Sequence, residues 1–263
     1  MGVAGPLLVE RAGAQGEIAV LTLHRPEVHN AIDNALLSAL HAALGEVEAD
    51  PAVRGVVLAG TGGRAFCTGM DLKERAGFSD DDLRAQRRRI VDLVRHVHEL
   101  PVATIAAVEG FALGGGFELA LACDLIVASD SAVLGLPEVK VGIFPGGGST
   151  HTLTWLVGPA RARDVILAGR RLTAGEAEAW GVVARVVPAG GAREAAIALG
   201  DSIAEGAPLG IRQAKAAIRG AHRALAEGLA AENELYEVVL TSRDRREGFE
   251  AFAAKRRPRF EGR

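Results

Sequence analysis

Between residues 17 and 129 the chain repeats one unit: a short apolar run of β character, then a glycine- or proline-marked turn, then a segment of helical spacing. The runs are EIAVLTL (17–23), GVVLAG (55–60), VATIAAVEG (102–110) and LIVAS (125–129). Short apolar runs between turn residues, without strict alternation, are the pattern of strands buried on both faces. After Arg25-Pro26, Asn30 to Val47 sets Ile32, Leu36, Leu40, Leu44 and Val47 at helical spacing, with Asn30 or Asp33 as cap. Asp50-Pro51 breaks that helix. Residues 80–99 place Leu83, Ile90, Val94 and Val97 on one helical face, and GGGFELALACD (114–124) reads as a glycine turn into a short helix. Strands alternating with helices define an α/β chain. A doubly wound sheet and a spiral of repeated ββα turns both satisfy this order, and periodicity does not separate them.

The 263 residues suffice for a sizeable core, and 49% hydrophobic with 24% charged residues excludes long disorder. Glycine is the outlier: 33 residues, about one in eight, against a usual ~7%. No collagen-like repeat absorbs them, so they serve turns and close backbone approaches. From about Ala192 the chain turns into Ala-, Arg- and Glu-rich helix former. It is therefore divided into residues 1–194, a core carrying the site, and a helical region, 195–263, continuous with it. A net charge of −3 argues against a nucleic-acid partner. No apolar run reaches the ~18 residues of a membrane span. MGVAGPLLVERAG lacks the basic and apolar regions of a secretory signal. Cys67 and Cys123 have neither metal-ligand nor disulfide spacing and read as buried thiols of a reducing compartment. The expected location is the cytoplasm.

Most motif-like features have bland readings. Gly60-Thr61-Gly62-Gly63-Arg64-Ala65 fits a loose dinucleotide fingerprint, but no clean helix follows and no acidic residue ends a second strand. Ser149 and His151 are two residues of a triad without a third. His96 and His98, two apart on a helix, do not share a face. Arg87-Arg88-Arg89 reads as a solvated face. Two features carry more. Gly114-Gly115-Gly116 directly precedes a helix, whose first N–H groups and positive dipole end can stabilise a developing oxyanion. Gly69-Met70-Asp71 offers a second donor. Glu118 lies in the first turn of that helix, and Glu138 sits in an apolar stretch, LGLPEVKVG. Two carboxylates converging on such a turn supply the base and the acid that water addition to an activated alkene requires.

With these features the chain resembles the enoyl-CoA hydratase/isomerase (crotonase) family. The resemblance runs from Glu17 to Arg263 and is carried by RPEVHNAI, AFCTGMDLKE, PVATIAAVEGFALGGGFELALACDLIVAS, LGLPEVKVGIFPGGGST and EGFEAFAAKRRPRFEGR. It implies a crotonase-type ββα superhelix with a C-terminal helical trimerisation region, forming a trimer or a dimer of trimers. It implies reversible syn hydration of 2-trans-enoyl-CoA, with the enolate held by the backbone amides of Met70 and Gly115. Glu138 would exchange the α-carbon proton and Glu118 would bind and activate water. Val28, Ala65, Met70, Asp71, Leu72, Lys73, Gly114, Gly115 and Pro137 would line the substrate path, with Phe252 and Lys255 reaching coenzyme A from a neighbouring subunit. Coenzyme A enters as part of the substrate; no separate cofactor, metal, nucleic acid or membrane is implied. The same resemblance leaves open a carnitinyl-CoA dehydratase, a Δ3-Δ2-enoyl-CoA isomerase, or a non-catalytic acyl-CoA- or RNA-binding homologue. Two departures bear on the acyl group: Met70 where alanine is common, and Thr152 where PGGGSTHTL replaces the frequent PGAGGTQRL.

Overall fold

A computed structural model describes residues 5–220, 238, 242–254 and 256–263. Six strands form one sheet: β1 (Leu7–Ala12), β2 (Ile18–Leu23), β3 (Gly55–Gly60), β5 (Ala103–Val108), β7 (Leu125–Ser129) and the short β10 (Arg185–Val187), in that spatial order. The pairs are parallel except β1 with β2. Short strands β4 (Ala65–Cys67), β6 (Phe111–Leu113), β8 (Val133–Gly135) and β9 (Arg171–Thr173) form a second sheet. From β3 to β8, consecutive strands therefore alternate between the two sheets, each pair followed by helix. That order is the ββα spiral, and it excludes the doubly wound alternative.

The corner between the sheets is sterically fixed. Gly110 joins β5 to β6 at φ +61°, and a Cβ there would lie 2.1 Å from the Arg64 carbonyl oxygen. The central strands β2, β3, β5 and β7 are buried on both faces. Leu21, Leu23, Val56, Leu58, Ala106, Val108 and Ile126 enter the main core with α1 (Asn34–Ala49) and α4 (Gly115–Ala122). Ile18, Val20, Val57, Ile105 and Val127 point the other way, onto Ala192, Ala196 and Leu199 of α7 (Ala192–Ala204). The division drawn at 194/195 thus falls inside a helix that belongs to the core.

Helix boundaries refine the sequence reading. Asp33 caps α1, accepting from the Leu36 amide at 2.8 Å. Asn30 instead takes a left-handed backbone and is buried, its side-chain amide donating to the carbonyls of Thr61 and Ala65. Ile32, expected on the helix, is extended and bridges to Met70. In α3 (Asp80–Glu99) Leu83 is only partly buried, and Gln86 is buried in the turn that follows it. Its side chain joins Arg75 of α2 (Leu72–Arg75), Glu74 and Asn34, a network apolar periodicity cannot register. After α5 (Ser149–Leu167) and α6 (Ala174–Ala179), α8 (Pro208–Arg219) is tied to the sheet by Lys215. Its ammonium lies 2.6 Å from Asp124, which also accepts from the Thr104 amide and hydroxyl. In α9 (Arg243–Ala253) Asp244 accepts from the Glu261 and Gly262 amides, closing the tail onto the helix. No helix among the described residues is long and apolar enough to cross a membrane.

Gly110→Ala combines a left-handed backbone with a clash against fixed backbone. It is expected to cost at least about 1–3 kcal/mol and to lower Tm by several degrees. Gly175→Ala, in α6 with open space at its Cβ, should leave Tm unchanged or raised. Thermal denaturation of the two variants separates a steric corner from a generic glycine effect.

Candidate active site

Two turns of the second sheet converge. After β4 the chain passes through Gly69 (φ +94°) and bridges Ile32: the Ile32 amide donates to the Gly69 carbonyl at 2.8 Å, and the Asp71 amide to the Ile32 carbonyl at 2.9 Å. Successive amides of an extended segment face opposite ways, so the intervening Met70 amide points away from Ile32. Gly115 is the first residue of α4, where an N–H has no intrahelical acceptor. Neither amide donates to another backbone group or side chain among the described residues. A Cβ on Gly69 would lie 3.0 Å from the Gly115 nitrogen, and one on Gly115 3.8 Å from the Met70 nitrogen. The approach is possible because a Cβ on Gly116 would fall 2.1 Å from the Cys67 carbonyl oxygen. The result is a pair of free amides, one from each turn, beside the positive end of a helix.

Both glutamates reach this place, in opposite environments. Glu118, on the first turn of α4, is 6% exposed, and its Oε1 accepts from the Gly147 amide at 2.8 Å, the Ser149 hydroxyl at 2.8 Å and the Ser149 amide at 3.4 Å. Glu138 opens a 3-10 turn behind Pro137. It is 9% exposed, neither carboxylate oxygen meets a donor within hydrogen-bonding geometry among the described residues, and Oε1 would lie 3.4 Å from a Cβ on Gly114. Burial pushes its carboxyl up to about 7; the nearby Glu118 adds to the rise, and only its own backbone amide opposes it. An acid poised near neutrality beside a carboxylate held by three donors is the division of labour acid–base catalysis uses.

The remaining candidates lie around this centre. Asp71 caps α2 through the Lys73 and Glu74 amides and is 3.0 Å from Arg25, which also pairs with Asp33 at 3.1 Å. Burial opposes the Asp71 charge, but the Arg25 and backbone donors outweigh it and hold its carboxyl below the usual range. Leu72 and Lys73 are exposed next to Met70; Val28 is half-buried, and Ala65 is buried at the start of β4. Phe252 falls within α9, its side chain outside the described residues, as is Lys255. Both cysteines are free and buried, the Cys67 thiol pushed up to about 12 by desolvation. His96 pairs with Glu48 at 3.1 Å. Of the three arginines, Arg89 bonds Asn34 and Ser38, while Arg87 lies over Gly146, where a Cβ would be 3.3 Å from Nε.

Sequence reasoning missed the partners of Glu118. Its signal was available: PGGGST opens a helix, and free amides at a helix start are donors in search of an anion. A separate apolar cavity of about 860 Å³ is lined by Leu125, Trp155, Val182, Ile211 and Ile218, with His98, His151 and Thr152 at its wall. It contains neither glutamate and neither free amide, and its carboxylate, Asp124, is paired with Lys215. Size alone does not make it a reactive centre; the groups suited to acid–base chemistry lie at the two turns.

The two-sheet spiral agrees with known proteins. The chain belongs to the enoyl-CoA hydratase/isomerase family, whose profile matches residues 13–263. It is 42% identical over 258 residues to a probable enoyl-CoA hydratase of Rhizobium meliloti (strain 1021), covering 98% of both chains. It is 40% identical to human enoyl-CoA hydratase domain-containing protein 2, mitochondrial, covering 95% of this chain and 88% of that one. The crystal structure of an enoyl-CoA hydratase from Bacillus anthracis superposes with a TM-score of 0.95 at 40% identity, covering 98% of this chain and all of that one.

The Glu138 environment has a stability signature. Unfolded, the side chain ionises near 4.5; folded, near 7. Between these values the folded state keeps a proton the unfolded state has lost, so stability falls as pH rises through that window and levels above it. Relative to wild type, Glu138→Gln should gain on the order of 2–3 kcal/mol between pH 4.5 and pH 8. Urea denaturation of both proteins across this range tests it; parallel curves would refute the buried, unpartnered carboxyl.

Proposed function

We propose that the protein catalyses the reversible syn addition of water to 2-trans-enoyl-CoA thioesters. The observation that carries this reading is the pair of buried glutamates in unlike environments beside two free amides. The Met70 and Gly115 amides receive the thioester carbonyl oxygen and stabilise the negative charge that gathers there as water adds to C3. Glu118 orients the water and takes its proton; Glu138, near half protonation at neutral pH, delivers a proton to C2. Dehydration runs the same steps backward.

In this reading coenzyme A travels with the substrate. Val28, Ala65 and the Met70–Lys73 turn, exposed at Leu72 and Lys73, border its path, with Phe252 and Lys255 contributing from a neighbouring subunit. Asp71 acts there by capping and by holding Arg25 rather than as a free charge. We further infer a homotrimer or dimer of trimers in the cytoplasm. Two free, buried thiols support a reducing compartment, and light scattering tests the assembly.

Steady-state assays with C4 to C16 2-trans-enoyl-CoAs and crotonobetainyl-CoA decide the reaction. Hydration of at least one of them is expected, with Glu118→Gln and Glu138→Gln each lowering kcat by roughly 10²- to 10⁴-fold. The double variant should fall well short of the product of the two losses, because both groups serve one water. Double-bond migration without hydration, or near-full hydratase activity in either single variant, overturns the reading. Gly115→Pro probes the amide alone, since proline suits the first position of a helix. A loss of about 10²- to 10³-fold in kcat with an unchanged circular dichroism spectrum is expected.

A further inference from the structure

Building on the hydratase reading above, we propose that the Ser149 hydroxyl is a positioning residue for the reaction, fixing the Glu118 carboxylate so that Oε2 alone handles the water. Ser149 is 1% exposed and is the first residue of α5. Its hydroxyl does not cap that helix, because Gly148 occupies the cap position. Nor does it act as a nucleophile. Its proton is directed onto Glu118 Oε1 at 2.8 Å, and His151 lies at the wall of the separate cavity.

What the hydroxyl does follows from counting lone pairs. A carboxylate oxygen offers about two acceptor sites, and Oε1 of Glu118 faces three donors: the Gly147 amide, the Ser149 amide and the Ser149 hydroxyl. Oε1 is therefore saturated, and no proton can settle on it without expelling a donor. Oε2 accepts no hydrogen bond from the described residues, so the water and the proton it gives up are confined to that oxygen. Of the three donors, the hydroxyl is the one supplied by a side chain and the one a substitution removes without disturbing the loop. At 3.4 Å, the Ser149 amide replaces it poorly. Without the hydroxyl the carboxylate can swing about its last torsion, exchanging the two oxygens and dispersing the water.

The test exploits a step that needs Glu138 but not Glu118. Removing an α-proton from saturated butyryl-CoA and returning a deuteron from D2O uses the amide pair and the Glu138 carboxyl, with no water to activate. Ser149→Ala should lower hydratase kcat about 10-fold or more, with KM within twofold of wild type. Butyryl-CoA α-exchange, followed by proton NMR, should stay within twofold. Ser149→Thr, which keeps the hydroxyl, should recover most of the hydratase rate. Ser149→Cys, of similar size with a weaker donor, should behave like the alanine variant and decides the matter if that one does not fold. Unchanged hydratase kcat in Ser149→Ala or Ser149→Cys overturns the proposal, as does an equal fall in hydration and exchange, which would mark a merely structural serine. Absence of hydration by the wild type is a different result, overturning the hydratase reading on which this one stands.

Discussion

Everything at the candidate site depends on one backbone contact, the docking of the α4 amino terminus against the end of β4. Gly116 admits the Cys67 carbonyl where any side chain would collide with it. That single missing Cβ lets two turns from different ββα units come within van der Waals distance. One brings the Met70 amide, whose direction is set by the hydrogen bonds of its neighbours to Ile32; the other brings Gly115 and, one turn later, Glu118. The rest of the architecture holds these turns in register: strands buried on both faces, Asn30 clasping the Thr61 and Ala65 carbonyls, and Arg25 between Asp33 and Asp71. Donors fixed in this way need no reorganisation when charge develops between them.

The two carboxylates show how environment assigns roles to chemically similar side chains. Glu118 is surrounded by donors from the loop before α5 and its first residue, while the buried Glu138 carboxylate has no hydrogen-bond partner among the other described residues. Their nearness matters as much as their difference, because the charge on one discourages ionisation of the other. Replacing Glu118 therefore also alters Glu138.

Much of this was legible in the sequence. Strands β2, β3, β5 and β7, α3, α4 and the glycine turns could be marked within a residue or two, since continuous apolar runs and glycine clusters are direct imprints of double burial and close approach; β1, exposed along most of its length, and the three-residue β10 left no such run. Glu138 stood out as a charge in apolar company. The choice between a doubly wound sheet and a spiral was not legible from periodicity, because it turns on three-residue strands such as Ala65–Cys67 and Phe111–Leu113, too short to leave a pattern. Resemblance supplied it instead. Polar burial was also hidden: Gln86 among α1, α2 and α3, Asn30 at the sheet edge, and the Gly147 and Ser149 donors all satisfy partners distant in sequence. Hydrophobic spacing carries no record of such pairs.

The Lys215–Asp124 pair gives the helical end of the chain a mechanical tie to the front of the molecule. Asp124 follows α4 directly, and its carboxylate is shared between Thr104 at the start of β5 and Lys215 from α8. Removing α8 would leave that carboxylate without its cation, and Lys215 also holds the Val102 carbonyl. Helix α4 carries Glu118 in its first turn and ends two residues before Asp124. Helix α8 and the spiral thus share one largely buried ion pair: disorder introduced at α8 would leave the Asp124 carboxylate, six residues on from Glu118, without its cation.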